Sequence, residues 1–111
     1  MGDYILLGLV AAYFAWRLLS SVLVRRRLPK LLEDGAQLVD VRGPGEFAGG
    51  HAPGSVNIPL QEIAERAGEL DAERPVVVCC ASGTRSAMAA HRLRKHGFKR
   101  VINAGSWRTL A

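Results

Sequence analysis

The stretch V-V-V-C-C-A-S-G-T-R-S-A, residues 76–87, decides the fold. Its first four residues, 76–79, have the apolar composition and length of a buried strand, and from Ser86 onward apolar residues recur at helical spacing. The loop between them contains Gly83, which permits backbone angles that other residues resist. A buried strand, a short loop and a helix in this order are typical of an α/β domain with a parallel sheet.

The same alternation continues on both sides of this stretch. Short strands are predicted at residues 37–41, 55–58 and 101–102, and helices at residues 60–70 and 86–96. Because the strands are apolar on both faces, we expect helices to cover both sides of the sheet. The predicted fold class is three-layer α/β, a short parallel β-sheet flanked by helices, preceded by one N-terminal transmembrane helix.

The transmembrane helix is predicted from an apolar run at residues 4–24, in which Arg17 is the one charged side chain. As a helix, this run would be about 31 Å long, close to the ~30 Å of a bilayer core. It lacks the basic start and the Ala-x-Ala cleavage site of a signal peptide, and the wide polar face of an interfacial helix. The expected division is an anchor with its basic flank at residues 1–27 and a domain at residues 28–111.

Leu28-Pro29 is expected to end the N-terminal helix, because the residue before a proline resists helical angles. Residues 30–34 are then expected to form a separate helical turn or two, stopped by Gly35. The anchor and the first element of the domain would therefore be distinct.

The charges around the apolar run predict how the protein is oriented. Arg25, Arg26 and Arg27 follow the run directly, whereas only Asp3 precedes it. The positive-inside rule then predicts a single-pass membrane protein with its domain on the cytoplasmic side. A charge near mid-membrane is costly, so Arg17 either snorkels to the headgroups or faces a partner helix. The net charge is +5 over 111 residues, but no other basic cluster interleaves with aromatics, so nucleic-acid binding is not expected.

Cys80 is the candidate nucleophile. The loop and the first turn of the next helix leave backbone N–H groups unpaired, and the helix dipole adds positive potential there. A cysteine in such a loop ionises more readily to the nucleophilic thiolate. Arg85 adds a charged planar fork for an oxyanion, and Ser86 is placed to cap the helix. Cys79 is interpreted as a core side chain because it continues the apolar strand. A disulfide between the two cysteines is not expected, since adjacent cysteines seldom bridge each other.

Residues 80–86, C-A-S-G-T-R-S, resemble the active-site loop of the rhodanese superfamily. The run L-V-D-V-R at residues 38–42, Glu46-Phe47, and G-H-A-P-G-S-V-N-I-P at residues 50–59 are similar to the early signature of that family. The run N-A-G-S-W at residues 103–107 resembles its closing loop. These matches occur in order and span nearly all of the domain, so the chain is identified as a single-domain, membrane-anchored member.

The resemblance implies a sulfurtransferase that carries sulfane sulfur as a persulfide on Cys80. The sulfur would pass from a donor such as thiosulfate to a thiol or to cyanide; the acceptor can also be a protein thiol, and no cofactor is implied. Residues of the loop would hold the persulfide and the anionic donor, and by position these are Ala81, Ser82, Gly83, Thr84, Arg85 and Ser86.

Asp40, Arg42 and His51 fall in the early signature and are candidates for the rim of the pocket. The alternative is structural: a bond from Asp40 to nearby backbone and an ion pair between Arg42 and Glu46. His51 could act as a base, although nothing in the sequence ties it to Cys80. No metal-ligand spacing is present.

Two other functions stay open. The first is a rhodanese-like module that binds a partner or senses sulfide without catalysis, which would have no need of Cys80 and Arg85. The second is a phosphatase: related phosphatases place five residues between cysteine and arginine, the spacing from Cys79, whereas four separate Cys80 from Arg85. Gly83 lies three residues after Cys80, as in rhodaneses, and no general acid can be placed, which favours sulfur transfer.

Overall fold

The computed structural model describes residues 2–111. Its helices and strands follow in the order α1 (Gly2–Glu33), β1 (Gln37–Asp40), α2 (Pro44–Ala48), β2 (Val56–Asn57), α3 (Ile63–Arg66), β3 (Val76–Cys80), α4 (Thr84–Lys95) and β4 (Val101–Ser106). The strands form one parallel sheet in the order β2-β1-β3-β4. The expected parallel sheet with flanking helices is confirmed.

Strand β3 is central to the sheet. It pairs with β1 on one side and β4 on the other, and all five of its side chains are buried. A strand that is apolar on both faces fits between two covering layers, which is why V-V-V-C-C occupies this place. Because the strands are parallel, their carboxyl ends meet at one edge, which we call the carboxyl edge. Cys80 lies there, as the last residue of β3.

Two apolar layers cover the sheet. On one face, Ile63 of α3 and Leu93 of α4 belong to the same cluster as Val78 and Cys80. On the other face, Leu31 of α1 belongs to a cluster with Cys79. Successive side chains of a strand point to opposite faces, so the sheet separates the two cysteine side chains.

The N-terminal helix does not end at Leu28-Pro29, contrary to the prediction. Helix α1 continues through Pro29 to Glu33. A proline inside a helix costs ~3 kcal/mol, but burying an aliphatic side chain stabilises by ~1.5–3 kcal/mol. Val24 and Leu31 are both buried against the sheet, and Leu28 packs beside them, which together offset that cost. The division of the chain after residue 27 stays a prediction.

Two other elements differ from their predicted bounds by more than two residues at one end or in continuity. Residues 60–70 do not form one helix but three short pieces, Leu60–Glu62, Ile63–Arg66 and Ala67–Glu69. Gly68 lowers helix stability by ~1 kcal/mol relative to alanine, which weakens a continuous helix at its C-terminal end. Strand β4 runs to Ser106, beyond the predicted residues 101–102, because it pairs with β3 along its length through a bulge.

Helix α1 runs antiparallel to the strands. Near its middle, Arg17 contacts Ser82, which follows β3 at the carboxyl edge. At its end, Asp34 pairs with Arg100, which precedes β4 at the opposite edge. The apolar residues before Arg17 therefore project beyond the carboxyl edge, and the molecule is 51 Å long but 29 Å across. Within residues 2–111, α1 is the one helix long and apolar enough to be a candidate membrane span.

Candidate active site

The loop of residues 81–83 joins β3 to α4 at the carboxyl edge. Gly83, directly before α4, has a φ of 110°, a conformation that residues with a Cβ rarely adopt. A Cβ at this position would also lie 3.3 Å from the Cα of Gly105 in β4. Position 83 therefore favours glycine for two reasons: its backbone angle suits a residue without a Cβ, and Gly105 leaves little space for a side chain.

The sulfur of Cys80 lies inside this loop. The side chain is buried, its Sγ is 2.9 Å from the backbone nitrogen of Gly83, and the Oγ of Ser86 is 3.4 Å away. Burial by itself would raise the pKa of Cys80. Hydrogen bonds from the Ser86 hydroxyl and from the N–H groups of Ser86, Gly83 and Ser82 outweigh it, so the pKa of the thiol is lowered. The loop therefore favours the thiolate.

Ser86 is not the helix cap that the sequence predicted, because α4 begins at Thr84 after the N-cap Gly83. Its hydroxyl is instead shared between the sulfur and β4. Its hydroxyl is 2.6 Å from the Oδ1 of Asn103, 3.1 Å from the carbonyl oxygen of Gly83 and 3.4 Å from the Sγ of Cys80. A hydroxyl has one proton, so these three acceptors compete for it. When Cys80 is a thiol, either its S–H or the Ser86 hydroxyl can be the donor between them. When Cys80 is a thiolate, the hydroxyl can turn to the sulfur.

Asn103 is a site residue that the sequence reasoning missed. Besides its contact with Ser86, its Oδ1 accepts from the N–H of Gly105, and its Nδ2 donates to the carbonyl of Gly83. Asn103 thus links β4 to Gly83 at the end of the loop and to Ser86 in the first turn of α4. Its place in the N-A-G-S-W run was the available signal, but nothing in that run indicates which loop residue it meets.

Cys79 lies in a different environment. Burial, with Asp40 nearby, raises the pKa of its thiol to about 12. Its side chain is fully buried in the layer that α1 covers. A thiol with this pKa is almost entirely protonated near neutral pH, so Cys79 is a poor nucleophile.

Arg85 is paired with Glu46. Its Nη1 and Nη2 donate to the two carboxylate oxygens of Glu46 at 2.7 and 3.0 Å. This hydrogen bonding lowers the pKa of Glu46 to about 2. The ion pair that we expected between Arg42 and Glu46 is therefore not formed. The sequence does not show which arginine pairs with Glu46, because Arg42 and Arg85 both lie near it in the fold.

Arg42 instead forms a buried pair with Asp40. Its Nη2 is 2.8 Å from the Oδ2 of Asp40, and its Nε also donates to this carboxylate. The Oδ1 of Asp40 accepts the backbone N–H of Arg42, which is the local bond that the sequence suggested. The guanidinium further donates to the carbonyl of Gly50 and lies 4.8 Å from the ring centre of Trp107. Both residues thus brace the loops of the carboxyl edge.

The remaining predicted site residues lie at or near the surface. Ala81, Ser82 and Thr84 are exposed around the sulfur. The exposed ring of His51 stacks on Phe47 at 3.8 Å, and its Nδ1 is 2.9 Å from the carbonyl oxygen of Phe47. These contacts hold His51 within its own loop. Among residues 2–111, no group of three or more metal-ligating side chains is placed to hold a metal ion.

Comparison with known proteins decides the family. Residues 25–108 match the family model described as a rhodanese-like domain. The chain belongs to the rhodanese-like family. The resemblance inferred from the loop and the two flanking signatures is thereby confirmed.

Individual relatives agree with this assignment. A protein of Bacillus subtilis, named as the uncharacterized protein YqhL, is 37% identical over 93% of this chain and 87% of its own. The thiosulfate sulfurtransferase GlpE of Pseudomonas syringae is 41% identical over 71% of this chain and 78% of its own. A solved structure of a rhodanese with anions from E. coli has a TM-score of 0.64 and 36% identity, and covers 68% of this rhodanese-like chain and 92% of its own.

Proposed function

We propose that this rhodanese-like protein is a sulfurtransferase that carries sulfane sulfur as a persulfide on Cys80. The observation that carries the proposal is the position of the Cys80 sulfur, 2.9 Å from the N–H of Gly83 in a loop that lowers its pKa. Relatives named thiosulfate sulfurtransferase support the same reaction class.

The first half-reaction loads the enzyme. The thiolate of Cys80 attacks the outer sulfur of thiosulfate, and a bond forms between Sγ and that sulfur. The S–S bond of thiosulfate breaks, and sulfite leaves with the electron pair. The charge of the persulfide then lies on the outer sulfur, where N–H groups of the loop and the N-terminus of α4 stabilise it.

The second half-reaction unloads it. Cyanide, or the thiolate of a small molecule or protein, attacks the outer sulfur of the persulfide. The bond between Sγ and that sulfur breaks, and its electron pair returns to Cys80 as the thiolate. The product is thiocyanate or a persulfide of the acceptor, so no external oxidant or reductant is consumed.

The donor oxyanion is assigned to the loop of residues 81–86. Arg85 is its one charged side chain, but Glu46 takes two of its N–H groups and offsets much of its charge. Binding of the anion therefore relies mainly on backbone N–H groups and the helix dipole. We assign Arg85 to the rim of the anion site, where it also helps to position the loop. The buried pair of Asp40 and Arg42 and the exposed His51 are supporting residues at the same edge.

We also propose that α1 anchors the protein as a single-pass span with the domain on the cytoplasmic side. The large apolar side chains from Tyr4 to Trp16 are exposed, which fits lipid rather than water around them. Arg25, Arg26 and Arg27 follow on the side of the domain, which the positive-inside rule places in the cytoplasm.

The direct test is turnover by the full chain in detergent, with thiosulfate and cyanide as substrates and thiocyanate as the product measured. The full chain is needed because Val24 and Leu31 of α1 are part of the core. We expect thiocyanate formation that Cys80→Ser abolishes and Cys79→Ser retains. A folded wild-type protein that forms no thiocyanate would contradict transfer from thiosulfate to cyanide.

A further inference from the structure

The carboxyl edge carries exposed apolar side chains beside the active-site loop. Trp16 of α1 is 64% exposed and Met88, in the second turn of α4, is 47% exposed. Both line a cavity of about 550 Å³ between α1 and the loop, together with Tyr13, Arg17 and Gly83. The apolar surface of α1 thus continues onto the domain at the edge where Cys80 lies.

Contacts with the domain fix how far α1 can extend into a bilayer. The Nη2 of Arg17 donates to the carbonyl oxygen of Ser82 at 2.9 Å, and the hydroxyl of Thr109 donates to that of Ser21 at 3.4 Å. Residues from Arg17 onward therefore lie alongside the domain. The free part, residues 2–16, is about 22 Å long, shorter than the ~30 Å of a hydrocarbon core, so a bilayer that α1 spans must thin around it and draw the carboxyl edge to its surface.

We propose that the carboxyl edge lies in the interfacial layer of the bilayer, so that the active-site loop faces lipid headgroups. The inference rests on the membrane anchoring proposed above. A bilayer that surrounds residues 2–16 reaches the level of Arg17 and hence of Ser82. Because α1 is antiparallel to the sheet, Cys80 and Met88 are at the end nearer the bilayer, and Lys95 is at the far end of α4.

This placement also explains the residues of α1 at the boundary between the hydrocarbon core and water. Tyr13 and Trp16 would lie at headgroup depth, where amphipathic rings are favoured. Arg17 would lie there too, close to anionic lipid, instead of near mid-membrane where a charge is costly. A sulfur donor or acceptor that enters the cavity from this side comes from the interfacial layer rather than from bulk water.

The test compares two label positions on one helix. Met88→Cys and Lys95→Cys are made separately in the Cys80→Ser chain and labelled with the fluorophore NBD; both side chains are exposed, and the buried Cys79 with its raised pKa stays unlabelled. The full chains are placed in vesicles of phosphatidylethanolamine and phosphatidylglycerol that contain a lipid with a nitroxide quencher on its headgroup. Flotation with the vesicles is measured first.

We expect the label at position 88 to emit at shorter wavelength, to be quenched by the nitroxide lipid and to be protected from aqueous iodide. The label at position 95 should emit at longer wavelength, escape quenching by the lipid and be quenched by aqueous iodide. Floating protein with equal iodide access at both positions would overturn this inference alone. Protection of position 88 without quenching by lipid would also overturn it, since a second copy would then cover this edge. Failure to float would overturn the proposed anchoring as well.

Discussion

The hydroxyl of Ser86 lies 2.6 Å from the Oδ1 of Asn103 and 3.4 Å from the sulfur of Cys80. One side chain thus connects the nucleophile to the neighbouring strand. Because a thiolate accepts a hydrogen bond more strongly than a neutral thiol does, the hydroxyl of Ser86 favours the thiolate over the thiol. Ser86 therefore adjusts the ionisation of Cys80, in addition to its place in the first turn of α4.

Ser86→Ala should raise the pKa of Cys80. The hydroxyl of Ser86 makes the largest of the hydrogen-bond contributions that lower this pKa, so its loss leaves the effect of burial less opposed. The alkylation rate of Cys80, measured by mass spectrometry against pH, should keep its shape and move to higher pH. Ser55→Ala, whose hydroxyl bonds to the carbonyl of Ala52 away from the loop, is the matched control. An unchanged pH profile would show that Ser86 does not lower the pKa of Cys80.

Gly83→Ala should destabilise the fold and distort the loop. The substitution places a Cβ at a φ of 110° and 3.3 Å from the Cα of Gly105, and such backbone strain costs about 1–3 kcal/mol. Urea unfolding in detergent measures the loss. Gly68→Ala is the control, because a Cβ there meets no atom within 4 Å and requires no positive φ. Equal stability of the two variants would show that the loop tolerates a side chain at position 83.

The ion pair between Arg85 and Glu46 should make the stability of the fold depend on pH. Folding lowers the pKa of Glu46 from its usual 4.5 to about 2, so the stabilisation is fully present above about 4.5 and is lost as the pH falls towards 2. The melting temperatures of wild type and Glu46→Gln should therefore differ near neutral pH and converge across this window. A difference that stays constant down to pH 2, measured by circular dichroism, would contradict the assigned pair.

Asp40→Ala should be strongly destabilising. It leaves the buried guanidinium of Arg42 without its carboxylate, a loss of roughly 3–5 kcal/mol for a buried pair broken on one side. The free energy of unfolding in urea measures it. Asp34→Ala removes an exposed carboxylate from Arg100 and should change stability far less. Similar losses in both variants would mean that burial does not distinguish the two pairs.

The sequence predicted the elements whose causes are local. Apolar composition indicated β3, and the order of strand, loop and helix around Gly83 placed Cys80 at the carboxyl edge. The sequence did not predict that α1 passes through Pro29, because that depends on where Leu31 packs in the folded chain. The partner of Glu46 and the role of Asn103 were missed for the same reason. Both depend on which loops the sheet brings together, and local patterns do not contain that information.

Mass spectrometry of the intact full chain after incubation with thiosulfate tests most directly whether Cys80 carries sulfur. We predict the gain of one sulfur atom that a reductant removes, that Cys80→Ser abolishes and that Cys79→Ser retains. No gain in a folded protein would contradict persulfide formation from thiosulfate. A gain that mapped to Cys79 would contradict the assignment of the nucleophile and would restore the five-residue spacing to Arg85 that is typical of phosphatases.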